Sequence, residues 1–330
     1  MKNSFNSPED ESLSNDEYIE LIAKENIKGW SDQGFTWLVY ASAAITVAVL
    51  FVMSWIIFQE ARPAIAKFGI SFLWGRDWDV GNEIFGALPY IYGTLVTSAI
   101  AILLAFPVGL AVALVTSENF LPGSIQTILA LMIELIAAIP SVIVGLWGTF
   151  IFIPFLEPLQ AGLSEYLRWI PLFNTEFPVG TNMLTAGIIL AIMILPTMAA
   201  ISRDVLLATP KELRSASMAL GSTRWETIFR VLLPAAFSGI ISAAMLALGR
   251  ALGETMAVTM VIGNSAQISA SLLDPAYTIP SVIANEFAEA EQGLHIGALT
   301  YLGLVLFGVT LAVNIGAVLL IQWVRNKNRS

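Results

Sequence analysis

The chain of 330 residues contains no cysteine and a single histidine, His295. Without thiols there is no disulfide, no thiolate metal site and no cysteine nucleophile. One imidazole leaves no histidine cluster for a metal or a proton relay. Charge is scarce as well: Asp, Glu, Lys and Arg make up 12% of the residues, against roughly 25% in a soluble domain. The chain also lacks the Gly-rich loop ending in Lys and Ser or Thr that cradles nucleotide phosphates. No spacing of Ser, Glu or Arg suggests a nucleophile with its base. These absences argue against an enzyme: no catalytic residue, no metal ligand and no bound cofactor is expected.

What is abundant is apolar surface. Hydrophobic residues make up 56% of the chain and the mean hydropathy is +0.75. Such a chain cannot cover itself with polar side chains, so a lipid bilayer is the expected solvent for much of it, and no nucleic-acid partner is expected. The net charge of −9 is unevenly spread, much of the acid lying in the first 32 residues and in 274–291. Residues 1–34 are polar and acidic, unlike a secretory signal, which begins basic and turns apolar at once. They are expected to form a cytoplasmic tail, disordered or as a surface helix.

A membrane span needs about 20 apolar residues. Six candidates fit: Phe35–Phe58, Ile91–Val115, Ile125–Phe152, Met183–Leu207, Val231–Ile262 and His295–Val324. The fold class is therefore all-α, a polytopic membrane protein of six transmembrane helices. Its parts are the tail 1–34, a first helix 35–58, an extracytoplasmic link 59–89, a transmembrane domain 90–324 and a basic tail 325–330. Six spans put both termini on one side. The link 203–230 holds Arg203, Lys211, Arg214, Arg224 and Arg230, and the last six residues hold three bases and no acid. The links 157–178 and 263–294 hold one base, Arg168. The positive-inside bias places both ends and the 203–230 link in the cytoplasm.

Interruptions inside the spans carry information. Proline removes a backbone donor and clashes with the preceding turn, and lipid does not satisfy the freed carbonyl. Pro140, Pro196 and Pro234, with Gly253, read as structural hinges in helices that pack on one another or line a cavity. Arg250 and Glu254 stand four apart in the fifth candidate, so a continuous helix puts them on one face. An unpaired charge there costs about 2.5 kcal/mol or more. The pair is either a fixed internal bridge or the border of a translocation path that changes partners, and an Arg suits an oxyanion in charge and geometry. Glu134, six residues before Pro140, is a second candidate partner for Arg250. Thr255 and Thr259 offer hydroxyls on one face, unless they bond their own backbone.

The segment 208–233 is polar between apolar spans. Its pattern predicts a helix over 210–219, with Pro210 in the first turn and Thr209 as cap, a bend at Gly221, and a second helix from Trp225. Leu213, Ala216, Ala219 and Leu220 share a small apolar face, fit for a groove in a soluble partner or for lipid headgroups.

This segment resembles the cytoplasmic coupling motif of bacterial ABC importer permeases. Ser215-Ala216-Ser217 stands in the usual Glu-Ala-Ala place, then Gly221, Val231 and Leu233-Pro234. Ser215 departs from the family's Glu, and Glu212 stands about one turn earlier. The runs from Gly86 (GALPYIYGTLVTSAIAILLAFPVGLAVAL), Ile133 (IELIAAIPSVIVGLWG), Ala247 (ALGRALGETMAVTMVIGN) and Asn285 (NEFAEAEQGLHIGAL) narrow the resemblance to the permeases of phosphate importers. It covers about 36–324. The resemblance implies a type I ABC importer permease fold, with Glu212, Ser215, Ala216, Ser217, Leu220 and Gly221 meeting an ATPase. It implies a PstA-like sister permease, two copies of a PstB-like ATPase that uses ATP and Mg, and a PstS-like phosphate-binding protein. It also implies a phosphate-signalling regulator and a sensor kinase. Permeases for sulfate, molybdate or phosphonate, an ion-coupled secondary transporter and a membrane scaffold or sensor subunit are the alternatives left open by the residues.

Overall fold

A computed structural model of the chain describes residues 15–118, 120–175, 178–290 and 293–327, with side chains from 33 onward except 320, 321 and 323–327. The first 14 residues of the expected N-terminal tail and the last three of the basic tail lie outside the described residues. Two compact units divide the chain, Met1–Ile56 and Ile57–Ser330.

Helix α1 (Asn15–Phe68) belongs to both units. In the first unit every described side chain from Gln33 to Met53 is exposed, including Phe35, Trp37 and Phe51. An apolar surface of that kind needs lipid. Three of its hydroxyls are satisfied internally: Ser42, Thr46 and Ser54 each donate to the carbonyl four residues earlier, at 2.8, 2.9 and 2.8 Å. This is how a polar group tolerates a bilayer. The expected end at Phe58 is too early. The helix formers of Gln59–Lys67 carry it on to Phe68 through Pro63.

In the second unit the chain runs from a short turn at Gly69–Leu73 into a two-stranded hairpin, β1 (Trp78–Asp79) and β2 (Ile84–Phe85), and then α2 (Leu88–Ser117). Next come α3 (Gly123–Ala137), α4 (Ser141–Trp147), a π-helical turn Gly148–Phe152 and α5 (Ile153–Tyr166). Helix α6 (Met183–Ala208) leads to α7 (Lys211–Ala219), α8 (Arg224–Thr227), a π-helical turn Ile228–Leu232 and α9 (Leu233–Leu252). The chain ends with α10 (Met256–Val261), α11 (Ile279–Glu286) and α12 (Leu294–Lys327).

Among the described residues, six helical stretches are long and apolar enough to cross a membrane, the number expected. Besides the longer first helix, two are placed differently from the expectation. The third is Ser141–Tyr166, while Gly123–Ala137 is a separate, shorter apolar helix. Pro140 is the reason: it takes an extended backbone, φ −59° and ψ 137°, and stands at the N-cap of α4, so its ring and missing N–H part the two helices. The fifth begins at Arg224 and stops at Leu252; Gly253 ends α9 and α10 restarts at Met256.

Helix α6 is the centre of the unit. It packs on α2, α9, α3 and α10, and its Ile189, Leu190, Ile194 and Met198 are fully or almost fully buried. Small residues set how closely neighbours approach. A Cβ on Gly239 of α9 would stand 2.4 Å from Val205 Cγ1 of α6, so no larger residue fits that crossing. A second apolar cluster joins the end of α1, the hairpin, the start of α2, α11 and the start of α12 around Phe72, Phe85, Tyr90, Tyr277 and Leu302. Glu286 closes it, accepting from Trp78 Nε1 at 2.9 Å and meeting His295 Nε2 at 3.1 Å.

Candidate functional site

Arg250 is the residue to explain. It sits in the last turn of α9 and is exposed on the isolated chain. Its Nη1 donates to Thr197 Oγ1 of α6 at 3.1 Å. At 1.5 Å per residue Thr197 lies about 21 Å from Met183 and about 16 Å from Ala208 along α6. The guanidinium thus reaches the mid-depth of the most buried span. Facing hydrocarbon there would cost about 2.5–3.5 kcal/mol, so the position calls for a neighbouring chain or an aqueous path.

Two open recesses meet at Arg250. One, of ≈ 590 Å³, is walled by α6, α9 and α12, with Thr197, Ser242 and Asn314 as polar groups. The other, of ≈ 390 Å³, is apolar and lined by Ile136, Ile139, Ile143, Trp147 and Ile192 with Arg250. The latter includes both sides of the α3–α4 break, so Pro140 shapes a wall beside Arg250 rather than a distant kink.

The expected geometry of Arg250 with Glu254 is not observed. Because α9 stops at Leu252, the two residues do not share one continuous helix, and no ion pair joins them among the described residues. Glu254 instead accepts from the backbone N–H of Ala257 at 3.4 Å, where a carboxylate suits the positive end of α10. Thr255 and Thr259 turn inward on the backbone: Thr255 Oγ1 donates to Gly253 O at 3.3 Å and Thr259 Oγ1 to Thr255 O at 2.8 Å. Glu134 is exposed on α3 and makes no ion pair with Arg250 among the described residues. None of the four partner candidates, Glu134, Glu254, Thr255 and Thr259, bonds Arg250 among the described residues; its hydrogen-bond partner is Thr197, and Ser242 and Asn314 line the same recess.

The interruptions differ in kind. Pro140 parts two helices. Pro196 is buried inside α6, which continues through it. Pro234 follows the π-helical turn Ile228–Leu232 inside the continuous Arg224–Leu252 stretch, and that wider turn takes up the irregularity its ring and missing N–H impose. Gly253 has φ −96° and ψ 0°, a conformation open to any residue. What it contributes is poor helix propensity at the break.

The polar segment forms the expected helix, bend and helix. Pro210 itself takes the N-cap position of α7, while Thr209 ends α6 and donates to Val205 O at 3.2 Å. The bend needs glycine: Gly221 has φ +89°, a region that costs other residues about 1–2 kcal/mol. Thr223 and Glu226 then form a reciprocal capping box at the start of α8; its Thr-Arg-Trp-Glu pattern was readable in the sequence. Glu212, Leu213, Ser215, Ala216, Ala219 and Leu220 are exposed, Leu220 at 88%. Ser217 is the exception among the coupling candidates. It is buried, with its hydroxyl 3.0 Å from Thr227 Oγ1, so it ties α7 to α8 and leaves the outer face to the others.

Comparison with known proteins fits this architecture. Residues 105–329 match the family described as binding-protein-dependent transport system inner membrane component. The chain is 41% identical over 317 residues to the phosphate transport system permease protein PstC of Pasteurella multocida, covering 95% of each chain. It is 43% identical over 277 residues to the protein of that name from Mesorhizobium japonicum, covering 83% of this chain and 84% of the relative. Among solved structures, an inward-facing form of the MetNI methionine ABC transporter aligns with TM-score 0.52 and 16% identity, over 71% of this chain and 94% of the other, a likeness of fold. The chain belongs to the binding-protein-dependent transport system inner membrane component family, and within it to the PstC permeases.

Proposed function

We propose that the chain is the membrane permease subunit of an ATP-driven importer of inorganic phosphate, forming half of the translocation path. The observation that carries this is Arg250: a guanidinium at mid-depth of α6, exposed on the isolated chain, between two recesses. A second permease subunit, PstA-like, covers that face and completes the path. Phosphate at neutral pH is a mono- or dianion, and Arg250 attracts it where lipid would exclude it. Glu134, Glu254, Thr255 and Thr259 bear on the gate indirectly, by shaping the helix breaks that flank Arg250. Pro140, Pro196, Pro234 and Gly253 mark where the spans bend.

A PstS-like binding protein delivers phosphate from outside. Two PstB-like ATPases bind ATP and Mg below, one of them seated on the outer face of α7 and the Gly221 bend. This chain binds no cofactor. The names of its relatives support phosphate over sulfate, molybdate or phosphonate, and the exposed outer face of α7 supports coupling to a separate motor over a self-contained ion-driven carrier. The uneven distribution of Lys and Arg supports cytoplasmic termini in the bacterial inner membrane. A phosphate-signalling regulator and sensor kinase are further partners on this reading.

The test is reconstitution of the chain with its sister permease, ATPase and binding protein in vesicles. Uptake of labelled phosphate should require ATP and every partner, and excess sulfate should not compete. Uptake by the chain alone, driven by a proton or sodium gradient, would refute the assignment.

A further inference from the structure

We propose that Arg214 is a positioning residue that fastens the motor-facing helix α7 to α2 and α6 at once, so that work done on α7 moves both spans together. This goes beyond the seating of the ATPase on α7 and rests on that reading.

The geometry is specific. Arg214 Nε and Nη2 both donate to Glu118 Oε1, at 3.1 and 2.8 Å. Nη2 also donates to Leu206 O at 2.9 Å, and Nη1 to Thr209 O at 3.2 Å. Leu206 lies in the last turn of α6 and Thr209 is its C-cap. The guanidinium satisfies the Thr209 carbonyl, adds a second donor to Leu206 O, which also accepts from Thr209 N–H at 3.3 Å, and meets the negative end of the dipole of α6. Glu118 is the C-cap residue of α2. A carboxylate at a helix C-terminus opposes the dipole of that helix, so Glu118 does nothing for α2 by itself. Its placement makes sense only with a cation opposite. The backbone carbonyl of Glu118 accepts in turn from Gln126 Nε2 of α3. One side chain from α7 therefore grips the cytoplasmic ends of two spans, and through Glu118 a third helix.

The joint is shielded. The side chains of Arg214 and Glu118 are 20% and 15% exposed, where charge-assisted bonds hold more firmly than in open water. A recess of ≈ 130 Å³ is lined by Glu118 and Arg214 themselves together with Phe120, Met218, Arg224 and Leu232. Arg214 and Ser217 stand three apart and so share the inner face of α7, opposite the exposed residues proposed to meet the motor. The helix is thus divided between one face that receives force and one that passes it on. Lysine carries its three donors on one compact ammonium and lacks the planar fork that here reaches Glu118 and both carbonyls from three nitrogens.

The readout is phosphate imported per ATP hydrolysed, in the complete reconstituted complex. In Arg214→Gln the complex should assemble and hydrolyse ATP within about twofold of the parent, while phosphate per ATP falls about tenfold, as loss of a charge-assisted bond network implies. Arg214→Lys should fall between the two. Glu118→Gln keeps the bonds to Leu206 and Thr209 and should lose about threefold; it carries the test if Arg214→Gln fails to assemble. Uptake and hydrolysis falling in parallel, or phosphate per ATP unchanged in both variants, would overturn the proposal. Leu220→Asp on the outer face tests the underlying reading separately. It should reduce the ATPase that copurifies; full retention there would refute the seating on α7 and the proposal with it, whereas reduced copurification beside unchanged phosphate per ATP in the Arg214 and Glu118 variants would refute the joint alone.

Discussion

At the scale of the residue, what matters is where a charge stands relative to lipid. Arg250 was legible as an anomaly because Arg inside an apolar run is rare and costly. Its partners were not. Helical spacing nominated Glu254, but the spacing rule holds only while the helix does, and Gly253 ends it. Thr197, and Asn314 across the same recess, come from helices distant in sequence, and no local pattern points to them, although Asn314 stands out as a polar residue within the apolar α12. Thr197→Val removes the hydrogen bond to Arg250 and should lower uptake about threefold with normal assembly, the net worth of a single bond; an initial-rate assay in vesicles checks this.

Elements were easier to read than their ends. Apolar length identified six spans, and Pro210, Gly221 and Leu-Pro marked the coupling segment. Two of the boundaries that moved did so at Pro140 and Gly253. A hydropathy window averages across such residues, whereas the backbone cannot ignore them. The continuation of α1 past Phe58 was hidden for the opposite reason: Gln59–Lys67 is polar enough to read as a link yet helical by propensity. Two predictions belong here. Gly253→Ala has space, the nearest atom to an added Cβ being 3.6 Å away, and Ala favours helix by about 0.8–1.0 kcal/mol. It should help α9 and α10 fuse, raising the melting temperature in detergent while slowing uptake. Unchanged uptake would mean that the break does not move. Gly221→Ala, at φ +89°, should cost about 1 kcal/mol of local stability and reduce the ATPase that copurifies, measured by subunit stoichiometry.

At the scale of the molecule, on the proposed function the same chain must satisfy lipid, a sister subunit and a motor. The exposed helix of the first unit, the polar recess at Arg250 and the outer face of α7 are three surfaces suited to these neighbours in turn. Orientation ties them together and is open to direct test, because the absence of cysteine gives single-cysteine variants no background. Leu220→Cys should react with a membrane-impermeant maleimide only from the cytoplasmic side, and Ala270→Cys only from outside. The measurement that bears most directly on the central claim is ATP-driven uptake of labelled phosphate by the complete reconstituted complex carrying Arg250→Gln. The account predicts normal subunit stoichiometry, retained ATP hydrolysis and uptake lowered about tenfold or more. Uptake at the parent rate by a fully assembled Arg250→Gln complex would contradict it.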